Sequence, residues 1–127
     1  VKYKYYTTLE GIMEKDNPDI FDYNVPDRLH ELYESKDFGD YAEDDYLPVC
    51  FTASNHTTSG NSGSPVVNAE GELIGVNFDR CWEGTMSDIM FDPERCRNIA
   101  IDIRYALFII DKFAGAGYLL DEMELVK

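Results

Sequence analysis

The stretch Gly60-Asn61-Ser62-Gly63-Ser64-Pro65, followed by Val66-Val67, carries the residue types that acyl transfer needs. A serine hydroxyl becomes a useful nucleophile when it is held rigidly beside a base and beside backbone N–H groups that stabilise a developing oxyanion. Gly60 and Gly63 bracket the serine and let the chain turn tightly, so that its amides can approach a bound carbonyl. In this reading Ser62 is the nucleophile, and the amides of Gly60 and Ser62 form the oxyanion hole. The plainer alternative is a Gly/Ser-rich hairpin turn with no chemistry.

A serine also needs a general base within hydrogen-bond reach. The chain has two histidines, His30 and His56. His30 falls in a presumptive helix among polar neighbours and reads as a surface residue. His56 lies in the loop leading to Ser62 but not in the position that a catalytic histidine takes in known serine proteases. A competent base and its orienting carboxylate are therefore expected to lie outside this chain. The three cysteines, Cys50, Cys81 and Cys96, do not form a disulfide framework. Cys50 reads as a buried free thiol, and a Cys81–Cys96 pair stays open. No Cys-x-x-Cys or His-rich spacing suggests a metal site, and no cofactor is expected.

The elements that must position these residues follow from pattern. Residues 1–14 read as one or two strands with a bend at Gly11, and Asp16-Asn17-Pro18-Asp19 as a turn. A helix is expected from Val25-Pro26-Asp27 to about Ser35, with Leu29, Leu32 and Tyr33 at helical spacing. The acidic stretch Asp37–Asp45 reads as a loop or short helix, and residues 47–54 as a strand. Residues 66–78 read as a hairpin turning at Asn68–Gly71. A long polar loop follows to about Arg97, then an alternating strand over 98–103. A helix over 104–113 stops near Gly115 and Gly117, and the chain closes with a short helix and an extended tail. Phe78 and Trp82 read as core or pocket wall, and Met86 and Met90 as packing residues.

With 127 residues, 44% of them hydrophobic, the chain is long enough for one folded domain. Its net charge of −14 argues against nucleic acid or an anionic membrane surface as partner. No run reaches the length of a membrane span. The chain opens inside the strand-like Val1–Tyr6, so it is expected to be a piece of a larger protein.

The serine turn ahead of an apolar strand resembles the nucleophile turn of chymotrypsin-fold serine proteases. Together with Thr7–Lys15, Gly71-Glu72-Leu73-Ile74-Gly75, Phe78-Asp79-Arg80, Trp82-Glu83-Gly84, Asp88-Ile89 and Arg97–Lys112, it resembles one family in particular. These are the bacterial serine dipeptidyl-peptidases with a chymotrypsin-like double barrel and an inserted helical domain, in the branch that cleaves after Asp or Glu. The Asp102-Ile103-Arg104-Tyr105 helix start is more diagnostic than the serine motif. The resemblance implies a mainly β fold with helices: residues 1–127 as the second, C-terminal barrel with a C-terminal helix. The first barrel and the helical domain would lie elsewhere in the parent.

The resemblance also implies roles. Ser62 matches the nucleophile and Gly60 an oxyanion-hole amide. Asp79 matches the carboxylate that holds the substrate's free α-amine. Arg80 matches the S1 residue that selects an acidic P1 side chain; relatives preferring apolar residues carry glycine there. The chemistry agrees, since an ammonium requires an anion and a carboxylate pairs bidentately with a guanidinium. Without the resemblance, Asp79-Arg80 reads as a self-paired charged strand end. The implied partners are oligopeptides with a free N-terminus and the rest of the parent polypeptide, with a homodimer left open. The implied location is periplasmic, cell-surface or secreted. A glutamyl endopeptidase and a non-catalytic barrel fragment are the competing functions; Asp79 speaks against the first, because an endopeptidase has no N-terminal ammonium to bind.

Overall fold

Burial alternates along Asn98–Asp102, and that segment and Leu73–Arg80 pair as strands with side chains on two faces. The computed structural model describes residues 4–126. Its strands are β1 (Tyr6–Thr8), β2 (Pro48–Ala53), β3 (Pro65–Val67), β4 (Leu73–Arg80) and β5 (Asn98–Asp102). Its α-helices are α1 (Leu9–Met13), α2 (Asp27–Ser35) and α3 (Ile103–Phe108). The strands form one sheet in the order β1-β2-β5-β4-β3, with β2–β5, β5–β4 and β4–β3 antiparallel. The sheet is open. Its ends are β1 and β3, and the described strands do not close into the expected barrel.

The chain divides into two compact units. The first contains the start of the chain to Tyr6 and Cys50–Ile103; the second contains Thr7–Val49 and Arg104 onward. In the first unit, β3 and β4 form the expected hairpin, and Asn68 closes its turn. The Asn68 Oδ1 accepts from the amides of Glu70 and Glu72 at 3.1 and 2.9 Å. Gly75 is where β4 crosses closest to its neighbours. A Cβ there would stand 2.7 Å from the Ile101 carbonyl oxygen and 2.8 Å from the Phe51 ring. The register shifts between Asn77 and Asp79 against β5, so β4 carries an irregularity immediately before Arg80.

The second unit packs around Leu9, Leu29, Leu32, Leu47 and Phe108, all nearly or fully buried. Phe38 meets Phe108 edge-on, with ring centroids 6.2 Å apart. The first 14 residues depart from the sequence expectation. After β1 the chain turns into α1, because Thr8 caps the helix: its hydroxyl accepts from the Gly11 amide. Gly11 is therefore helical and not a bend between strands. The strand expected from Val1 lies in part outside the described residues. α2 runs as expected, with Pro26 at its N-cap. The helix over 103–113 is α-helical to Phe108 and then widens into a π-helical turn over Ile109–Phe113. Gly115 follows with φ of +65°, a left-handed conformation that ends it.

Two sequence expectations about burial fail. Cys50 is a free thiol but only half-buried, and Cys81 and Cys96 are both free. Phe78, Trp82 and Met90 are exposed, Trp82 by 83%, so none of them is core. They stand at the sheet end and on the turn after β4, where no second layer of this unit covers them.

Two tests follow from the packing. Gly75→Ala should destabilise the protein by about 1–3 kcal/mol, the usual range for overpacking, read as a lower denaturant midpoint. Tyr41 donates its hydroxyl to Asp111 at 2.8 Å, and its phenol is pushed up to about 12 by burial and then by that bond. The folded state thus holds this proton more tightly than the unfolded chain, whose tyrosines titrate near 10. The contribution is complete below pH ~10 and is lost as pH rises toward ~12. Tyr41→Phe should lower stability at neutral pH and flatten its decline over that alkaline window.

Candidate active site

The serine loop turns where the glycines allow it. Gly60 and Gly63 have φ of +91° and +86°, the left-handed region that other residues rarely adopt. Between them Ser62 is exposed, and its Oγ lies 3.4 Å from the carbonyl oxygen of Phe78 on β4. Among the described residues, neither the Gly60 nor the Ser62 amide donates to a protein acceptor. Ser64 is turned the other way: its hydroxyl donates to the Asn61 carbonyl at 2.6 Å. The two serines of the motif are thus distinguished by geometry, with Ser62 outward and Ser64 spent on the turn.

Asn77 fixes this loop to β4. Its amide donates to the Ser64 carbonyl at 2.8 Å, and its own carbonyl accepts from Gly63 at 2.7 Å. Its side-chain Nδ2 donates to the Asn61 carbonyl at 3.2 Å. Its Oδ1 in turn accepts from Asn98 Nδ2 on β5 at 3.0 Å. Both asparagines are buried, and Asn98 Oδ1 is buried without a protein partner. The sequence reading missed this pair. The signal was there: each asparagine occupies an inward phase of its strand, Asn77 beside Gly75 and Asn98 beside Ala100.

One and two residues beyond Phe78 stand Asp79 and Arg80. They are not paired through their side chains, so the self-paired strand end is not what forms. Asp79 is exposed, and its Oδ1 accepts from the Arg80 amide at 2.8 Å. The Arg80 guanidinium turns instead to Asp88, at the end of a 3-10 helix over Trp82–Asp88. The contact is bidentate, Nη1 to Oδ1 and Nη2 to Oδ2, both 2.7 Å. Nη1 also donates to Ser87 Oγ at 3.0 Å, and Thr58 Oγ1 donates to Asp88 Oδ1 at 2.6 Å. The bonds from Arg80, and then that from Thr58, hold the Asp88 carboxyl well below the usual carboxylate range. Arg80 is correspondingly shifted further up by Asp88. The pair stays charged through the region near pH 4 where free acidic side chains titrate. The residues before Arg80 carried a recognised pattern; Asp88, Thr58 and Ser87 come together only in three dimensions.

Neither histidine touches Ser62 through the bonds it makes. His56 Nε2 lies 3.2 Å from the Ser87 carbonyl, and its ring packs on Phe91 with centroids 4.8 Å apart. His30, in the second unit, is half-buried and not a free surface residue. Its Nε2 lies 3.0 Å from Asp16 Oδ2, while Asp16 Oδ1 accepts from the Val25 amide.

A serine presented on a glycine turn stands beside a strand that ends in a carboxylate and a guanidinium. The chain belongs to the peptidase S46 family, whose model matches residues 1–125. It is 57% identical over 126 residues to an Asp/Glu-specific dipeptidyl-peptidase of Flavobacterium psychrophilum, covering 99% of this chain and 18% of that protein. It is 56% identical over 128 residues to a dipeptidyl-peptidase 7 of Phocaeicola vulgatus, again covering 18% of that protein. The crystal structure of Porphyromonas endodontalis DPP11 in complex with the dipeptide Arg-Asp superposes with a TM-score of 0.94 at 55% identity. That match covers 98% of this chain and 18% of the other. The chain therefore spans about a fifth of the length of the relatives it matches.

Asn77→Leu should strand one buried group, Asn98 Nδ2, at a cost of about 1–3 kcal/mol when unpaired. It also removes one of three donors to the Asn61 carbonyl, which Ser64 still serves through its amide and hydroxyl. Calorimetry of the variant should show a lower unfolding temperature. Asn98→Leu should be milder, because it also removes an acceptor that is already unsatisfied.

Proposed function

We propose that this chain supplies the nucleophile and the substrate-recognition groups of a serine exopeptidase, and that the longer enzyme releases N-terminal dipeptides ending in Asp or Glu. The observation that carries this reading is the Ser62 hydroxyl beside the Phe78 carbonyl, directly ahead of Asp79 and Arg80 on the same strand. Nucleophile and recognition groups are then set by one rigid backbone segment, as positioning for reaction requires. The chain corresponds to the C-terminal barrel portion of a chymotrypsin-like double barrel. The first barrel and an inserted helical domain lie in the rest of the polypeptide, and the enzyme acts in the periplasm, at the cell surface or outside the cell.

In the reaction, Ser62 Oγ attacks the carbonyl carbon of the second residue of the peptide. Its proton passes to a histidine base from outside this chain and then to the leaving amine. The carbonyl oxygen takes the negative charge, facing the amides of Gly60 and Ser62. The C–N bond breaks, the dipeptide is held as an ester on Ser62, and water releases it. Asp79 receives the α-ammonium of the substrate. One of its oxygens is already oriented by the Arg80 amide. Arg80 offers N–H groups to the P1 carboxylate. The relatives named as Asp/Glu-specific support the acidic preference, but a relative named dipeptidyl-peptidase 7 is nearly as similar. The P1 assignment therefore rests on Arg80 and not on overall identity.

Ser62→Ala in the full-length enzyme should reduce kcat by at least about 10⁴-fold, while Ser64→Ala should cost far less. Asp79→Ala should abolish cleavage, as should acetylation of the substrate amine; equal rates on blocked and free peptides would instead support an endopeptidase. Arg80→Gly should lose at least about tenfold in kcat/KM on Asp and Glu substrates and little on apolar ones. An unchanged P1 profile would sink the acidic-specificity reading. This chain alone should not hydrolyse a chromogenic dipeptide.

A further inference from the structure

A guanidinium has five N–H donors arranged on two edges that can each grip a carboxylate. In Arg80 the end-on edge is taken. Nη1 donates to Ser87 Oγ and Asp88 Oδ1, and one Nη2 hydrogen goes to Asp88 Oδ2. The remaining edge, Nε–H with the second Nη2–H, has no acceptor among the described residues, and the side chain is 23% exposed. Asp88 is itself anchored by Thr58 at 2.6 Å. The neighbouring Ser87 is fixed twice more, its hydroxyl to the Thr57 carbonyl at 3.3 Å and its carbonyl against His56.

Resting on the reading of Arg80 as the P1-selecting group, we infer that Asp88 is a positioning residue for acidic-side-chain recognition: it holds the Nη1/Nη2 edge of Arg80 so that the Nε/Nη2 edge receives the substrate carboxylate. The alternative, in which the substrate carboxylate displaces Asp88, is disfavoured by the anchoring. Displacement would break two short charged bonds and leave an unpaired carboxylate, held by Thr58, next to an incoming one. The arrangement has a second consequence. Because Asp88 already balances the charge of Arg80, an acidic P1 residue is selected by two directed N–H groups more than by a net positive field.

The test is steady-state kinetics on the full-length peptidase, with matched dipeptide substrates carrying Asp, Glu or an apolar residue at P1. Asp88→Ala should raise KM for Asp and Glu substrates about tenfold or more and leave apolar P1 substrates within about twofold. Asp88→Asn, which keeps a single carbonyl oxygen for Arg80 and Thr58 to share and loses the second acceptor, should fall between. Thr58→Val should shift KM in the same direction by less, and it serves should Asp88→Ala fail to fold. In an Arg80→Gly background, Asp88→Ala should have no further effect on P1 preference. A lower KM for acidic substrates in Asp88→Ala would mean that Asp88 competes with substrate, overturning the inference. So would an equal loss on acidic and apolar substrates, which marks a merely structural role. If Arg80→Gly itself leaves the P1 preference intact, the underlying reading of Arg80 fails; if Arg80→Gly abolishes it and Asp88→Ala does not change it, only the role of Asp88 fails.

Discussion

Buried amide groups favour hydrogen-bonded partners, and in this protein that requirement ties the Gly60–Gly63 serine loop to the sheet. Asn77 sits inside β4 with every polar group engaged: backbone to Ser64 and Gly63, side chain to Asn61 and Asn98. No apolar residue could satisfy the Asn61 carbonyl from that position. The loop therefore follows β4 as a rigid extension of the sheet, and Ser62 projects outward from its tip. The left-handed conformations at Gly60 and Gly63 make this path possible; the asparagine pair makes it the one adopted.

The same loop reaches Arg80 through Asp88. Thr58 accepts no role from sequence, yet it works in two directions. Its amide donates to Asn61 Oδ1 at 2.8 Å, inside the serine loop, and its hydroxyl donates to Asp88, which grips Arg80. A shift in either the serine turn or the segment after β4 is thus felt by the other. This coupling is mechanically short, a few hydrogen bonds within the first unit, and charge-assisted at its centre.

The second unit follows a different logic. Its core is conventional, with Leu9, Leu29, Leu32 and Phe108 excluding water, and its charges are paired at the margin of that core. Lys112 meets Asp37 at 2.9 Å and Arg104 meets Glu43 at 2.7 Å. With 25 acidic residues against 11 basic ones, few cations are available, and Lys112 and Arg104 bridge segments distant in sequence, whereas Arg28 pairs locally with Glu31. Such exposed pairs contribute little singly. They position more than they stabilise, whereas Tyr41 and Asp111 form a part-buried bond whose loss leaves a polar group unpaired.

Sequence by itself outlined the strand over 47–54, the hairpin over 66–78, the strand over 98–103 and the helix from Val25-Pro26-Asp27 to about Ser35, each within a few residues of its observed bounds, because periodicity and turn residues act locally. The family resemblance, carried by residue type and order, pointed to Ser62, Asp79 and Arg80; the structure turns Ser62 outward and spends the Ser64 hydroxyl on the turn. Sequence misjudged residues 9–13, which turn into a helix after Thr8, and it left open how exposed Trp82, Phe78 and Met90 stand, since exposure depends on what packs over them. Whether the strands close into a barrel could not be read from strand count or pattern, since closure depends on pairing between the first and last strands. The partners of Arg80 and Asn77 were equally hidden. Asp88 stands eight residues beyond Arg80 and Asn98 twenty-one beyond Asn77, and neither spacing has meaning until the 3-10 turn and the β4–β5 pairing bring the side chains within hydrogen-bond distance. Chemistry carried by residue type was legible in the chain, while the direction in which each charged or amide group points was decided by the fold, because hydrogen bonds are set by distance and angle and not by order.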